Sequence, residues 1–216
     1  MLRPFRLVML AMLAAVVYGG FFWVPTAAAP DGAFDASRVA AFEAAAWQSA
    51  RARQDFAVYA NLVQMLREQH RYSWFRAMQS GFYLARATTT YSSMQAQSRF
   101  DRLLPDLKTA ADIEKAWTKA AFDSAEVAQA QVNWWAIRRR RDSTADRIGT
   151  LIAEEYAVRY PRAGGRATDA AHLRAQAIKL VDESGVDPDW PSITEALTNS
   201  YRALGTAISQ TTTSAR

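Results

Sequence analysis

The sequence predicts an all-α protein in which an N-terminal transmembrane helix precedes a single irregular bundle of about seven helices. Three observations support this fold class. Residues 7–24 contain no charged side chain. Alanine is abundant, whereas glycines are few and no segment alternates in polarity as a strand does. Most of the remaining chain repeats apolar residues at spacings of three and four, which is the period of an amphipathic helix.

The N-terminal apolar segment, residues 7–24, has eighteen residues, and an uncharged run of about 18 or more is a candidate membrane span. Arg3 and Arg6 precede it, whereas Asp31 and Asp35 follow it. Positively charged flanks stay in the cytoplasm. We therefore expect a signal anchor in the lipid bilayer, with the N-terminus cytoplasmic and the bulk of the chain extracytoplasmic.

Two other interpretations of this segment stay open. It could be a signal peptide cleaved at Ala27-Ala28-Ala29, which would leave a secreted or periplasmic protein. Signal peptides have apolar cores of about 7–15 residues, which is shorter than this one, and Pro30 directly after the alanines disfavours cleavage. It could also be a core helix of a cytosolic protein, but no later segment is apolar enough to enclose it.

The chain beyond this segment has the length of one domain, and no linker divides it. Apart from Arg3 and Arg6 it carries 24 basic and 21 acidic side chains, an excess too small for nucleic-acid binding. The absence of cysteine excludes disulfides and thiolate chemistry. The predicted organisation is a cytoplasmic N-terminus (1–6), a transmembrane helix (7–24), a stalk (25–36), a helical bundle (37–209) and a disordered tail (210–216).

Apolar residues at helical spacing define the first two helices of the bundle. Asp35 or Ser37 caps the first, and its inner stripe is Val39, Phe42, Ala46, Trp47 and Ala50. After a change of phase, the second helix carries Phe56, Tyr59, Val63 and Leu66. His70 lies at the end of this helix, where its ring would stabilise the exposed carbonyl groups.

The middle of the chain predicts one regular helix and one interrupted segment. Ser73 caps the regular helix, on which Gly81 lets a neighbouring helix approach closely. Residues 88–98 predict a frayed helix end and a loop. Residues 103–117 predict short helical pieces that break at Pro105. The inner face predicted for the regular helix is Trp74, Phe75, Met78, Phe82 and Ala85.

The last part of the chain predicts four helices. Asp123 with Glu126 three residues later marks the start of the first, residues 125–141. A helix near 145–160 and one that starts at Asp169 follow. The final helix starts at Asp189 and carries one apolar face: Trp190, Ile193, Leu197, Tyr201, Leu204 and Ile208.

Three titratable side chains fall on predicted inner stripes: Glu43, His70 and Glu155. Di-metal sites of helical bundles use Glu-x-x-His motifs, and this chain has none, so no metal ligand, cofactor or catalytic residue is predicted. A buried carboxylate without a partner is costly. We therefore expect Glu43 and Glu155 to form ion pairs with arginines such as Arg67 or Arg138.

The run Arg138, Arg139, Arg140 and Arg141 is expected to cap the negative end of its helix. As an alternative, these arginines contact an anionic partner, such as the phosphates of lipid headgroups. The tryptophans at core spacing predict packing or, as an alternative, a ligand cage: Trp47, Trp74, Trp134 and Trp135.

Four strings carry a resemblance: LREQ (66–69), GFYLARA (81–87), WWAIRRR (134–140) and SYRAL (200–204). They resemble a group of uncharacterised bacterial proteins with an N-terminal membrane segment and an all-helical remainder. The resemblance implies the same architecture and no particular activity. The first functional prediction is a membrane-tethered interaction or assembly protein whose protein partner is not identified. A binder of an apolar or cofactor-like small ligand is the alternative, and a metal-dependent enzyme comes third.

Overall fold

The computed structural model describes residues 2–22 and 33–213, and this part of the chain is all-α, as predicted. It contains nine α-helices, two short 3₁₀ helices and no strand. The helix α1 (Leu2–Phe22) precedes a bundle of eight helices, where about seven were expected. These are α2 (Ala36–Arg51), α3 (Asp55–His70), α4 (Trp74–Ser92), α5 (Leu104–Thr118), α6 (Ser124–Arg138), α7 (Ala145–Arg159), α8 (Thr168–Glu183) and α9 (Trp190–Thr213).

The helix α1 includes residues 7–22 of the predicted membrane span. Residues 23 and 24, and residues 25–32 of the predicted stalk, lie outside the described residues. Among the helices of the described ranges, none combines the length and the apolar character needed to cross a membrane. The helix α1 contacts the bundle through α4.

The helices α2 to α9 form a closed ring. Each one packs against the next in the chain, and α9 packs against α2. Connections as short as residues 52–54 and 71–73 make consecutive helices antiparallel. The helices α2, α4, α6 and α8 therefore end on the same side of the ring, which we call the open end.

Three predicted helix starts are confirmed by side-chain caps. Asp35 accepts hydrogen bonds from the backbone N–H groups of Ser37 and Arg38, at 2.9 and 3.1 Å. Ser73 and Asp123 cap α4 and α6 in the same way. Because these caps satisfy N–H groups that have no partner inside a helix, they fix where each helix begins.

Two predicted interruptions were wrong. The helix α4 continues to Ser92, and along this stretch the hydroxyl groups of Thr88 and Ser92 do not end the helix but donate to the carbonyls of Leu84 and Thr88, at 2.8 and 2.9 Å. The frayed end expected from residue 88 is therefore helical as far as Ser92. Pro105 does not break α5 either, because it lies in the first turn, where a backbone N–H has no intrahelical partner.

The predicted inner face of α4 was wrong for three of its large side chains, whereas Trp74 packs against the core as predicted. A Cβ atom placed on Gly81 would lie only 2.7 Å from Cγ2 of Val63 on α3. The close approach of a neighbouring helix at Gly81 is therefore confirmed, and it leaves no room for an aromatic ring. The large side chains are exposed on the outer face of α4 and at the start of α3: Phe75, Met78, Phe82 and Phe56.

The last helix is longer than predicted. The helix α9 extends to Thr213, so the first residues of the expected tail, 210–216, are helical. Residues 214–216 lie outside the described residues. Ile193, Leu197 and Leu204 of the predicted apolar face are buried, which confirms the face itself.

Candidate functional site

A cleft of about 840 Å³ lies at the open end of the ring, with walls from α2, α3, α4, α6 and α8. We call it the axial cleft. Arg51 on α2 donates to the carbonyl of Val181 on α8 at 3.4 Å, and Arg138 on α6 forms an ion pair with Asp182 on α8. The volume falls within the range of about 300–1,000 Å³ that is typical of small-molecule sites.

Three of the four tryptophans considered for a ligand cage line this cleft: Trp47, Trp134 and Trp135. The indole Nε1 of Trp134 donates to Oε2 of Glu155 at 2.7 Å, which fixes the orientation of the ring. Trp74 is not part of the lining. Its ring lies under the guanidinium of Arg67, whose Cζ is 3.8 Å from the ring centroid.

Arginines outnumber carboxylates in the lining of the axial cleft by five to three. The cleft therefore has a net positive charge, which favours an anionic occupant. The cationic residues are Arg51, Arg53, Arg138, Arg139 and Arg174, and the acidic residues are Glu43, Asp55 and Asp182.

The two arginines at the end of α6, Arg138 and Arg139, differ in how many of their N–H groups donate hydrogen bonds within the protein. Arg138 donates from Nε and Nη2 to Asp182, at 2.9 and 2.6 Å. Burial alone would lower the pKa of Arg138, and the hydrogen bonds to Asp182 raise it above its usual value, so the guanidinium stays charged.

Arg139 stacks over the ring of Tyr91, with Cζ 4.4 Å from the ring centroid, and its Nη2 donates to the Tyr91 carbonyl at 3.0 Å. Its Nε is buried and has no hydrogen-bond partner in the described part of the chain. No described salt bridge includes it. Its Nη1 takes part in none of the described hydrogen bonds and, unlike Nε, is not among the buried atoms without a partner. The guanidinium of Arg139 therefore has hydrogen-bonding capacity left for an anion in the cleft.

The floor of the axial cleft is an ion pair that joins three helices. Glu43 on α2 is 3% exposed and accepts hydrogen bonds from the guanidinium of Arg174 on α8 and from the hydroxyl of Tyr201 on α9, the latter at 2.7 Å. Burial, and then the charge of Glu43, raise the pKa of Tyr201 well above its usual value, so this hydroxyl remains a donor. The side chains of Glu43, Arg174 and Tyr201 therefore close the floor of the cleft, and the charges of Glu43 and Arg174 are paired with each other.

A second, smaller cavity of about 100 Å³ lies within the ring, and we call it the inner cavity. Arg159 bridges two buried carboxylates beside it, with Nη1 2.6 Å from Oε2 of Glu114 and Nη2 2.9 Å from Oε1 of Glu155. Trp134 and Arg174 line both this cavity and the axial cleft. The two spaces therefore adjoin along the axis of the ring.

The expectation that Glu43 and Glu155 pair with arginines matches the structure, but the arginines are different ones. Their partners are Arg174 and Arg159, as described above. The two arginines named from the sequence have other partners. Arg67 lies over the ring of Trp74, and Arg138 forms an ion pair with Asp182.

The four-arginine run divides into two pairs. Arg138 and Arg139 line the axial cleft, whereas Arg140 and Arg141 are exposed and do not line it. His70 is the last residue of α3, at the position where its stabilising role was expected.

Sequence reasoning missed the central members of this polar network. The spacing of Glu155 and Arg159, four residues apart on one helix, was a signal that could have been used. Glu43 and Arg174 are 131 residues apart, so no local pattern connects them. The pairing of Glu114 with Arg159 likewise requires the ring to place α5 beside the end of α7.

Comparison of the chain with protein-family models, curated proteins and solved structures found no match. Within residues 2–22 and 33–213, no three His, Asp or Glu side chains come together in a way that could hold a metal ion. The axial cleft itself is lined by arginines, tryptophans and carboxylates that are partly paired.

Proposed function

We propose that this chain is a membrane-tethered helical domain that binds a small ligand with an aromatic or apolar body and an anionic group. The single observation that carries this proposal is the axial cleft, which combines a volume of about 840 Å³ with tryptophan walls and an excess of arginine. Small-molecule sites are mostly apolar pockets with a few polar groups that fix the orientation of the ligand.

The chemistry of the cleft specifies both parts of the ligand. The ring faces of Trp47 and Trp135 suit an aromatic or apolar body, because aromatic pairs add attraction beyond the burial of area. The guanidinium of Arg139 suits a carboxylate, phosphate or sulfonate oxygen, because hydrogen bonds between charged groups are the stronger ones. We therefore place the anion at Arg139, directly after α6, and the body between Trp47 on α2 and Trp135 on α6.

The tether in this proposal is residues 7–24. Its support is the uncharged sequence of the segment and the two arginines before it, Arg3 and Arg6. In this arrangement the ring lies outside the cytoplasm. Cleavage at Ala27-Ala28-Ala29 would release the same ring as a secreted or periplasmic protein, and the ligand proposal would not change.

The first functional prediction, an interaction or assembly protein without catalysis of its own, stays a prediction. The feature that favours it is the exposed apolar face of α4, which could bind another macromolecule. The axial cleft favours a small ligand instead, because its walls are concave and its floor is closed by Glu43 and Arg174.

Calorimetric titration of the full chain in phosphatidylcholine nanodiscs tests the ligand proposal. The probe is 2-naphthalenesulfonate, and neutral 2-naphthalenemethanol is the matched probe without charge. We expect one probe molecule to bind per chain. Arg139→Gln should weaken sulfonate binding by about tenfold or more, since a hydrogen bond to a charged group contributes about 1.5–3 kcal/mol.

Arg140→Gln is the matched control, because it removes the same charge from the neighbouring residue, which does not line the cleft. It should leave sulfonate affinity nearly unchanged. Binding of the neutral probe should survive Arg139→Gln, which would show that the variant is folded. Equal losses in the two variants, or no binding of either probe to the unmodified chain, would refute the proposal.

A further inference from the structure

The outer face of α4 is unusually apolar for an exposed surface. Phe75, Met78 and Phe82 are 48%, 38% and 51% exposed. Their spacing of three and four residues places them on one side of the helix. A contiguous apolar patch of this kind marks an interaction surface more often than scattered single residues do.

The packing of α4 within the bundle does not require this outer face to be apolar. The inner side of α4 is occupied by small residues because α3 lies close at Gly81, as described above. The large side chains are therefore not displaced core residues, and polar residues could replace them without opening a cavity.

The surroundings of this face are basic. Residues 69–100 contain four arginines and no aspartate or glutamate. Arg86 and Arg99 bind acids from outside this stretch. Arg71, which is exposed between α3 and α4, takes part in none of the described salt bridges. Arg76, in the first turn of α4, forms no described salt bridge either, but its guanidinium lies over the ring of Trp117, 4.8 Å from the centroid.

The helix α1 also exposes apolar residues. It contacts α4, and its apolar residues Leu13, Val16 and Val17 are exposed. Exposed apolar residues therefore lie on both of these two contacting helices. Insertion of α1 into a bilayer would therefore bring α4 close to the membrane.

We propose that the outer face of α4 lies in the headgroup region of a bilayer that contains anionic lipids, with Arg71 toward the lipid phosphates. This inference rests on the proposed tether at residues 7–24. The apolar side chains of interfacial helices lie about 5–10 Å deep, and nearby basic residues add attraction to anionic lipids. A protein partner would not require the absence of acidic residues across this stretch.

Site-specific fluorescence tests the inference, because the chain has no cysteine and a single introduced cysteine carries the only label. The variants are Met78→Cys on α4, Val16→Cys on α1, and Val186→Cys, which replaces a residue that is 99% exposed between α8 and α9. Each labelled full chain is placed in nanodiscs of phosphatidylcholine with or without phosphatidylglycerol. Doxyl-labelled lipid quenches from the bilayer, and iodide quenches from water.

We expect doxyl lipid to quench the labels at residues 78 and 16, and iodide to quench the label at residue 186. Quenching at residue 78 should be stronger with phosphatidylglycerol, and Arg71→Asn should reduce this difference. Asparagine is chosen because residue 71 has a φ of 52°, which Asn tolerates better than most residues.

Four results would overturn the inference. If the label at residue 16 meets lipid but that at residue 78 meets water, the tether stands and the proposed contact of α4 fails. If both labels meet water, the tether fails too. A label at residue 78 that is shielded from both quenchers would mean that protein covers this face. Equal quenching in the two lipid mixtures would remove the role of Arg71.

Discussion

Replacement of Arg159 by methionine should cost about 3–5 kcal/mol of unfolding free energy, which is the usual cost of removing one partner from a buried ion pair. Arg159 is the only cation within 4 Å of the carboxylates of Glu114 and Glu155 in the described residues, and the three side chains are 16%, 7% and 8% exposed. Methionine fills a similar volume but leaves two negative charges buried side by side. The loss would be a large part of the total stability, about 5–15 kcal/mol for a domain.

Urea unfolding followed by circular dichroism measures this loss. For an m-value of about 2 kcal/mol per molar urea, the midpoint should fall by about 2 M. Arg159→Lys should lose less, because it keeps the charge but not the two-way hydrogen bonding of the guanidinium. Arg162→Met is the matched control, since Arg162 is exposed in the loop after α7.

The reasoning would be refuted if Arg159→Met and Arg162→Met had similar midpoints, because the two carboxylates would then be hydrated rather than dependent on Arg159. A fall in the m-value together with an unchanged midpoint would also count against it, since that pattern reports a change in the denatured state or a loss of two-state behaviour.

Three further predictions follow from the packing and the buried hydroxyl groups. Gly81→Leu should lower the unfolding free energy by about 1–3 kcal/mol through overpacking against Val63, whereas Gly165→Leu, in open space, should change it less; equal losses would contradict the close contact. Trp134→Phe should cost about 1–2 kcal/mol because Glu155 loses its indole donor while keeping Arg159, and a urea midpoint equal to that of the unmodified chain would show that water replaces the donor. Burial raises the pKa of five tyrosines in the folded chain, so as the pH rises their hydroxyl groups lose protons in the unfolded chain first. The free energy of unfolding is therefore unaffected by these groups below about pH 10 and falls above it. Tyrosinate absorbance at about pH 11 should therefore be lower in the native chain than in urea, and equal absorbance would contradict the burial of Tyr72, Tyr91, Tyr156, Tyr160 and Tyr201.

Local features of the fold were predictable from sequence because their causes are local. The caps at Asp35, Ser73 and Asp123 follow from side chains within three residues of the groups they bind. The single face of α9 follows from its regular spacing. Pro105 was misread because its effect depends on whether it lies in the first turn of a helix or in the middle of one.

The orientation of α4 was not predictable by the rule that large apolar residues face inward. Either face of this helix is apolar enough to pack, and the one chosen is the face whose small residues let α3 approach at Gly81. The polar network was only half predictable. The sequence indicates that Glu43 is buried and paired, but its partner depends on how the ring closes.

Closure of the ring has a consequence for synthesis of the chain. The helix α9 completes the ring by packing against both α8 and α2. A nascent chain that still lacks this 24-residue helix is therefore an open arc in which α8 and α2 each have an uncovered side. Glu43 lacks the hydroxyl donor of Tyr201 until that helix arrives. The ring therefore cannot seal before α9 has been synthesised, and a premature stop codon before Trp190 would yield an arc with exposed apolar edges rather than a smaller stable protein.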